Sequence, residues 1–507
     1  MHPSWKKLAQ WVRTLERDGD VLLWNRLTGR SIQLAKDTVQ RPIVAGIQAR
    51  LQREWMWSDG PHLEWEQLIP CRSKLVLYLP DDCVLWVPVP HHHTAGGYGY
   101  RAIQLSPTGA AIWEAINDSR TLQHVAQLCG ATLLQAQTFC SELCAPEHQV
   151  LQLRPTPPRP NDPSLHRLIG LPRPENQRTD DVYGTHGETD LLQYHLHQIT
   201  DGRTHFDNRE TTVAHTFGLP HTALGGQPFG ARLRDRIDAF RAHQEGDTVV
   251  EVGCGTGEMA HSWMQKIGST PSTSYIRIDL SPELLRTQAQ RAPHTHSIHG
   301  DATALPLKNA SVDVLLSNEV IADLPSVPVC PVHPSEAAES VLHNLKQYGL
   351  PVPTVPTLYN QGSWRFLEEI SRVLAPGGIA YVSEFGSPDQ APEEAVQLDH
   401  PEISIQFGVL KHVAAHLHLS AELIRMDEFL DMDMTQLQPT RTSWMALRAL
   451  AKSQQRHLSA RAWTPAEVRA HRLFPFPIQG IQWCPLSYEG PGPLITRFWV
   501  LLLRKSS

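Results

Sequence analysis

Residues 248–257 constrain the fold of this chain more than any others. Thr248-Val-Val-Glu-Val252 is an apolar run broken only by Glu251, and it leads directly into Gly253-Cys-Gly-Thr-Gly257 and a helical stretch, Glu258–Ile267. Such a run reads as a strand buried on both faces, the habit of parallel sheets. The glycines permit a tight turn and let a ligand approach the backbone where the helix begins. Tyr275-Ile-Arg-Ile-Asp279 is a second strand. Its terminal acid lies about twenty residues beyond the glycines, where a carboxylate can accept both ribose hydroxyls of an adenosine. Ser281 caps the helix that follows. Ser297-Ile-His-Gly-Asp301-Ala302 is a third strand, with an acid that could meet the adenine edge, and Ser311–Glu319 is a fourth. A helix at Trp364–Leu374, stopped by Ala375-Pro-Gly-Gly378, precedes a fifth at Ile379–Glu384. Two more extended runs, Ile478–Cys484 and Thr496–Leu503, flank a turn at Gly490–Pro493. The order predicts an α/β domain.

Glu251-Val-Gly-Cys-Gly-Thr-Gly257, Asp279, Gly300-Asp-Ala302 and Leu367-Glu-Glu-Ile-Ser-Arg-Val-Leu-Ala-Pro-Gly-Gly378, in that order, resemble the class I S-adenosylmethionine (SAM)-dependent methyltransferases over about 240–507. The resemblance implies a Rossmann-like sheet with SAM as cofactor. Gly253, Cys254, Gly255 and Gly257 would hold the methionine part, and Glu251 would orient it through its amino group. Asp279, with Leu280, would hold the ribose; Asp301 and Ala302 would face the adenine; Asn318 completes the set. A dehydrogenase would instead carry G-x-G-x-x-G, whereas Gly257 follows Gly255 by two positions.

Acceptor-side residues should follow strands four and five, where such sheets place substrates. Glu319 and Glu384 end those strands. Converging carboxylates could clamp a guanidinium and localise its charge on one nitrogen. The stretch Ser317-Asn-Glu-Val-Ile-Ala-Asp-Leu-Pro325 is similar, over about ten residues, to arginine methyltransferases that assist mitochondrial complex I. His400 and Glu402, in Asp399–Phe407, could serve as proton acceptor, or simply begin a helix. The stretch 178–235, with His195, His197, His205 and His215, reads as a helical lid. No metal set is expected: His195 and His197 diverge on a helix, and His91–His93 sit in a Gly/Thr loop.

Proline divides the chain. Seven prolines between Pro155 and Pro174 make 154–177 a stiff linker, and a proline-rich insertion at 325–362 interrupts the domain 236–507. Ahead of the linker, short strands (Val21–Asn25, Ser31–Leu34, Lys74–Leu79, Val84–Val89, Tyr100–Leu105) precede three small helices at Ala110–Ile116, Thr121–Cys129 and Leu133–Leu143. Ser106 is placed as an N-cap and Pro107 at the first helical position. This describes a winged-helix-like α+β unit at 71–153, with 1–70 as its N-terminal extension. Ile103-Gln-Leu-Ser-Pro-Thr-Gly-Ala-Ala-Ile-Trp-Glu-Ala-Ile-Asn-Asp-Ser-Arg-Thr-Leu122 resembles the PqqD-like peptide-recognition domains. The resemblance implies that a precursor peptide's leader adds a strand to the sheet edge.

Composition narrows the partners. With 45 basic against 52 acidic residues, a net charge of −7 and no basic run, nothing marks a nucleic-acid binder. No apolar stretch nears the roughly 18 residues of a membrane helix. Eight scattered cysteines and no signal peptide suggest a cytoplasmic protein with reduced thiols. The expectation is a leader-guided peptide methyltransferase acting on a side-chain nitrogen, with arginine a candidate. The alternatives are a small-molecule methyltransferase whose N-terminal domain mediates oligomerisation, for which a homodimer is admissible, and a non-enzymatic binding protein. Intact glycines and both nucleotide acids argue against the last.

Overall fold

The computed structural model describes residues 12–17, 20–25, 31–40, 47, 65–94, 97–144, 148, 150–159, 165, 196, 199, 211–241, 246–267, 274–330, 335–397 and 400–506. The expected lid histidines His195, His197 and His205, and most of the linker, lie outside them. Contacts divide the chain into two units, one of residues 1–178, 441–457 and 466–482, the other of 179–440, 458–465 and 483–507. The expected contiguous block 236–507 is therefore divided in the fold, because two C-terminal segments pack with the N-terminal unit.

The second unit is built on a mostly parallel sheet. Its strands β1 (Thr248–Val252), β2 (Ser274–Asp279), β3 (His296–His299), β4 (Val312–Asn318), β5 (Leu374–Ser387), β6 (Leu419–Arg425) and β7 (Phe498–Lys505) lie in the order β3-β2-β1-β4-β5-β7-β6. Among these strands, β7 runs antiparallel to both neighbours and the rest run parallel. The chain winds outward from β1 to β3, then crosses back to β4, so the carboxyl ends of β1 and β4 form the crevice where such sheets bind ligands.

Period-two alternation sorts the strand residues between two cores. Val250, Val252, Leu315, Ala380 and Val382 pack on one face, with Leu367 and Ile370 of α5 (Gln361–Val373) and Leu410 and Val413 of α6 (Phe407–His416). Val249, Val314, Leu316 and Tyr381 pack on the other, with Leu233 and Ile237 of α1 (Phe229–Phe240) and Trp263 of α2 (Glu258–Ile267). Burial on both faces explains the near-continuous apolar run of β1, each buried valine contributing about 1.5–3 kcal/mol. Between β2 and β3 lies α3 (Pro282–Arg291), capped as expected by Ser281, whose hydroxyl accepts from Leu284 N.

Several boundaries differ from the sequence reading. The helix expected at Trp364–Leu374 spans Gln361–Val373, and β5 begins at Leu374 and continues through Pro376-Gly-Gly378. Within the proline-rich insertion, among the described residues, Val327–Val329 pairs with Thr357–Tyr359, and α4 (Glu336–Gln347) buries Val341 and Leu345 in the core. Ile478–Cys484 is not one strand. Gly480 at φ +90° breaks the run, leaving Trp483–Pro485 to pair with Leu437–Pro439.

In the first unit, Val12–Arg17, Asp20–Asn25 and Ser31–Ala35 form one antiparallel sheet, the first of these unforeseen. Leu77–Leu79, Val84–Thr94 and Gly97–Gln104 form another, and Ile69–Arg72 pairs with Leu151–Arg154. His91–His93 lie within the second strand of that sheet, not in a loop, because the hairpin turn falls after Thr94. Helices follow at Pro107–Ala115, Leu122–Cys129 and Leu133–Leu143, with Ser106 capping the first and Trp113 buried beneath it. A helix from the C-terminal half, Arg441–Ser453, packs on Val84–Thr94 and Gly97–Gln104. Gln479 bridges Tyr78 through paired backbone bonds of 3.0 and 2.8 Å, extending the Leu77–Leu79 edge. Among the described residues, no helix is long and apolar enough to cross a membrane.

Candidate active site

A cavity of about 660 Å³ opens at the carboxyl ends of β1, β2 and β4. Its floor is the glycine turn. Gly253, Gly255 and Gly257 all have positive φ, at +70°, +49° and +80°. Gly253 N donates to Ile278 O at 2.8 Å, and a Cβ built on Gly253 would fall inside the Val320 side chain. Only glycine meets both demands at once. Gly257 does not line the cavity; its Cα faces Gln288 of α3 instead.

Asp279, at the end of β2, organises this floor. Its Oδ2 accepts from Cys254 N at 3.1 Å and Gln288 Nε2 at 2.8 Å, and its Oδ1 accepts from Ser281 N at 2.9 Å. Gln288 also donates to Gly255 O at 2.9 Å, so one buried amide ties the glycine turn to the acid. Sequence reasoning missed Gln288, since a glutamine within a helix carries no local signal. Leu280, Asp301 and Ala302 line the wall beside Asp279. Asp301 Oδ1 accepts from Thr303 N at 2.7 Å, which fixes its turn.

Glu251 lies under the turn and also lines the cavity, although only 1% exposed. Its Oε2 accepts from Tyr275 Oη at 2.7 Å, and Arg277 lies opposite it across the β1–β2 pair. Burial pushes the carboxyl up to about 8, against the opposing influence of the tyrosine hydrogen bond and the arginine charge.

The far end of the cavity is acidic. Asn318 and Glu319 end β4 and line it, with Asp323, Glu394 and Ile403. Glu319 Oε1 accepts from Val213 N at 2.7 Å and Asn318 Nδ2 at 2.8 Å. Asn318 Oδ1 accepts from Ser383 Oγ at 2.9 Å. Glu384, expected at the cavity, lies behind its wall at 2% exposure, because its strand position turns it toward the backbone. There it accepts from Ala322 N at 3.2 Å and Phe385 N at 3.0 Å. Burial, with the negative charges of Glu402 and Glu319, holds its carboxyl well above the usual range. Glu402 and His400 occupy a strand, His400–Ile403, paired with Glu394–Gln397, rather than the start of a helix. Ile403 lines the cavity, whereas Glu402 does not. The His400 side chain lies outside the described residues. His215, Thr212 and Ala214 close the cavity from the segment ahead of α1.

The donor set fits SAM. The glycine cradle admits no Cβ at Gly253, acids stand at the ends of β1, β2 and β3, and the cavity continues beyond them to a second wall.

Residues 250–347 match a family model described as "Methyltransferase domain". The chain is 27% identical over 95 residues to a malonyl-[acyl-carrier protein] O-methyltransferase of Serratia marcescens, covering 18% of this chain and 35% of the relative. It is 28% identical over 189 residues to a probable phthiotriol/phenolphthiotriol dimycocerosates methyltransferase 2 of Mycobacterium ulcerans, covering 37% and 55%. The chain thus spans about a third to just over half the length of these relatives. Among solved structures, a TehB-like SAM-dependent methyltransferase from Corynebacterium glutamicum aligns at 16% identity and a TM-score of 0.26, over 56% of this chain and 91% of that one. The chain carries a SAM-dependent methyltransferase domain.

Proposed function

We propose that the chain methylates a side-chain nitrogen, with arginine a candidate, in a ribosomally made precursor peptide whose leader is captured by residues 71–153. SAM would supply the methyl group, passed in line to the acceptor nitrogen as its carbon–sulfur bond breaks, with S-adenosylhomocysteine as the leaving group. The chain's own residues hold the two partners and receive the acceptor's proton.

The observation that carries the nitrogen acceptor is the sign of the cavity. Among the described residues, seven carboxyl groups line it (Glu251, Glu258, Asp279, Asp301, Glu319, Asp323 and Glu394), and no lysine or arginine does. Of the seven, burial keeps Glu251 protonated at neutral pH, and Arg291 pairs with Glu258. A wall whose charge is of one sign favours a neutral or cationic acceptor and opposes an anionic one. Asp323 and Glu394 line the cavity beside Glu319 and are the groups we assign to receive a basic group and its proton.

The leader reading rests on the PqqD-like residues 103–122 and on the small sheet they join. The Leu77–Leu79 edge is taken by Gln479, so Gly97–Gln104 is the edge we assign to the leader. Eight cysteines scattered along a long chain suit a cytoplasmic location. The names of the two relatives favour a second reading: a small-molecule acceptor, with the N-terminal unit mediating assembly of a homodimer.

Intact-mass spectrometry of the full chain with SAM separates the two. The reagents are a leader-bearing precursor peptide and its leaderless core. Truncating the enzyme would mislead, because residues 441–457 and 466–482 fold with the N-terminal unit. A gain of whole methyl units on the leader-bearing peptide, sharply slower on the leaderless one, supports the first reading. Equal rates remove the leader role, and no gain on either overturns the peptide substrate.

A further inference from the structure

We propose that Glu319 is a positioning residue: its carboxylate pins the 212–216 turn over the cofactor cavity and so sets how tightly SAM is held. This rests on the SAM-binding cavity and not on the identity of the acceptor.

Glu319 is held in an unusual state. Its φ of +56° is a left-handed backbone for a residue with a Cβ, a conformation that persists only where surrounding structure dictates it. Here the dictating contacts are on both sides. Glu319 N donates to Ser383 O at 2.9 Å, locking the backbone to β5. Asn318 Nδ2 steers the carboxylate from the preceding position at 2.8 Å, and Asn318 is itself held by Ser383 Oγ. The result aims Oε1 at one backbone group, Val213 N, 106 positions earlier in the chain.

Val213 opens the short helix Val213–Thr216 behind its N-cap, Thr212. An amide at that position has no helical carbonyl to meet, so an outside acceptor must satisfy it. Val213 and Phe217 are buried in the core, which seats the turn, while Thr212, Ala214 and His215 face the cavity. The turn is therefore anchored from behind by apolar contacts and fixed at its leading end by one carboxylate oxygen. Removing that oxygen should loosen the cavity wall without unfolding it.

A base role for Glu319 and a positioning role predict different partners. The positioning role must be equally sensitive to the donor. Proline is well tolerated at the first helical position, and the extended Thr212, at ψ 165°, suits a residue before proline. Val213→Pro therefore deletes the donor while leaving Glu319 intact.

The test is calorimetric titration of the full chain with SAM, without acceptor, for Glu319→Ala, Glu319→Gln, Val213→Pro and the Ala/Pro double variant. Loss of a charge-assisted hydrogen bond should weaken SAM about tenfold in Glu319→Ala. Glu319→Gln, which keeps the acceptor oxygen, should recover to within about threefold, since an uncharged acceptor bonds less strongly. Val213→Pro should match the alanine variant, with the double variant no weaker than either single one. Wild-type affinity in Glu319→Ala, or equal losses in the Ala and Gln variants, would overturn the proposal. Thermal unfolding without SAM confirms that each variant is folded; should Val213→Pro not fold, the Ala–Gln comparison decides alone.

Discussion

Val320 occupies the space that a Cβ on Gly253 would need. The residue after Glu319 thus packs directly on the first glycine of the turn, so the carboxyl ends of β1 and β4 form one rigid seat for the cofactor. Gly253→Ala meets two costs here: about 1 kcal/mol for the left-handed backbone at φ +70° and about 1–3 kcal/mol for overpacking. The expected outcome is loss of detectable SAM binding with a lowered unfolding midpoint. Adding Val320→Ala should restore the packing part of the stability loss alone, as denaturant titration of the three proteins would show.

Glu251 makes stability depend on pH. Its carboxyl is raised from 4.5 to about 8 in the folded chain, so between those values the folded state holds a proton that the unfolded state releases. The stabilisation is complete below about pH 4.5 and is lost as pH rises toward 8. Glu251→Gln cannot ionise, and its unfolding free energy should change less over that interval, by an amount on the order of a few kcal/mol. Denaturant midpoints at pH 5, 6.5 and 8 measure it; parallel profiles for both proteins would contradict the assignment.

Gln288 should matter to SAM too, though less than Gly253. Gln288→Ala removes the bonds to Asp279 and Gly255 and should cost about 1–2 kcal/mol of stability along with severalfold in SAM affinity. Gln288→Glu should be worse, since a second carboxylate would face Asp279 at hydrogen-bonding distance. Calorimetry that ranked the two variants the other way would show that packing, rather than the amide bond, is what Gln288 supplies.

Trp444 tests the interleaved division of the chain. It is 3% exposed on the helix Arg441–Ser453, which packs with the N-terminal unit. Trp444→Ala should destabilise that unit by about 3–5 kcal/mol. Hydrogen exchange should quicken in Val84–Thr94 and Gly97–Gln104, with SAM affinity unchanged. Faster exchange confined to β1–β5 would place the helix wrongly.

Much of the cofactor half was legible because its signals are local. The run Thr248–Val252 must be buried on both faces, Gly253-Cys-Gly-Thr-Gly257 must turn sharply, and an acid follows at the next strand end; each depends on residues close in sequence. The acceptor half was read less well for the same reason. Glu319 directly follows β4 and Glu384 lies within the adjacent parallel β5, yet one lines the cavity and the other faces backbone amides behind it. Asp323 stands in the stretch Ser317–Pro325 with no local sign of its role, and Glu394 reaches the cavity only because Glu394–Gln397 pairs with His400–Ile403.

The chain's own order of residues determined the parallel sheet, its glycine turn and the acid at the end of β2, since strand burial and backbone φ preferences act over a few residues. Tertiary structure alone decided which carboxylates share the cavity, that Gln288 clamps the turn, and that 441–457 and 466–482 return to the N-terminal unit. Those outcomes depend on contacts between positions tens to hundreds of residues apart, where side-chain direction and packing, rather than local pattern, choose the partner.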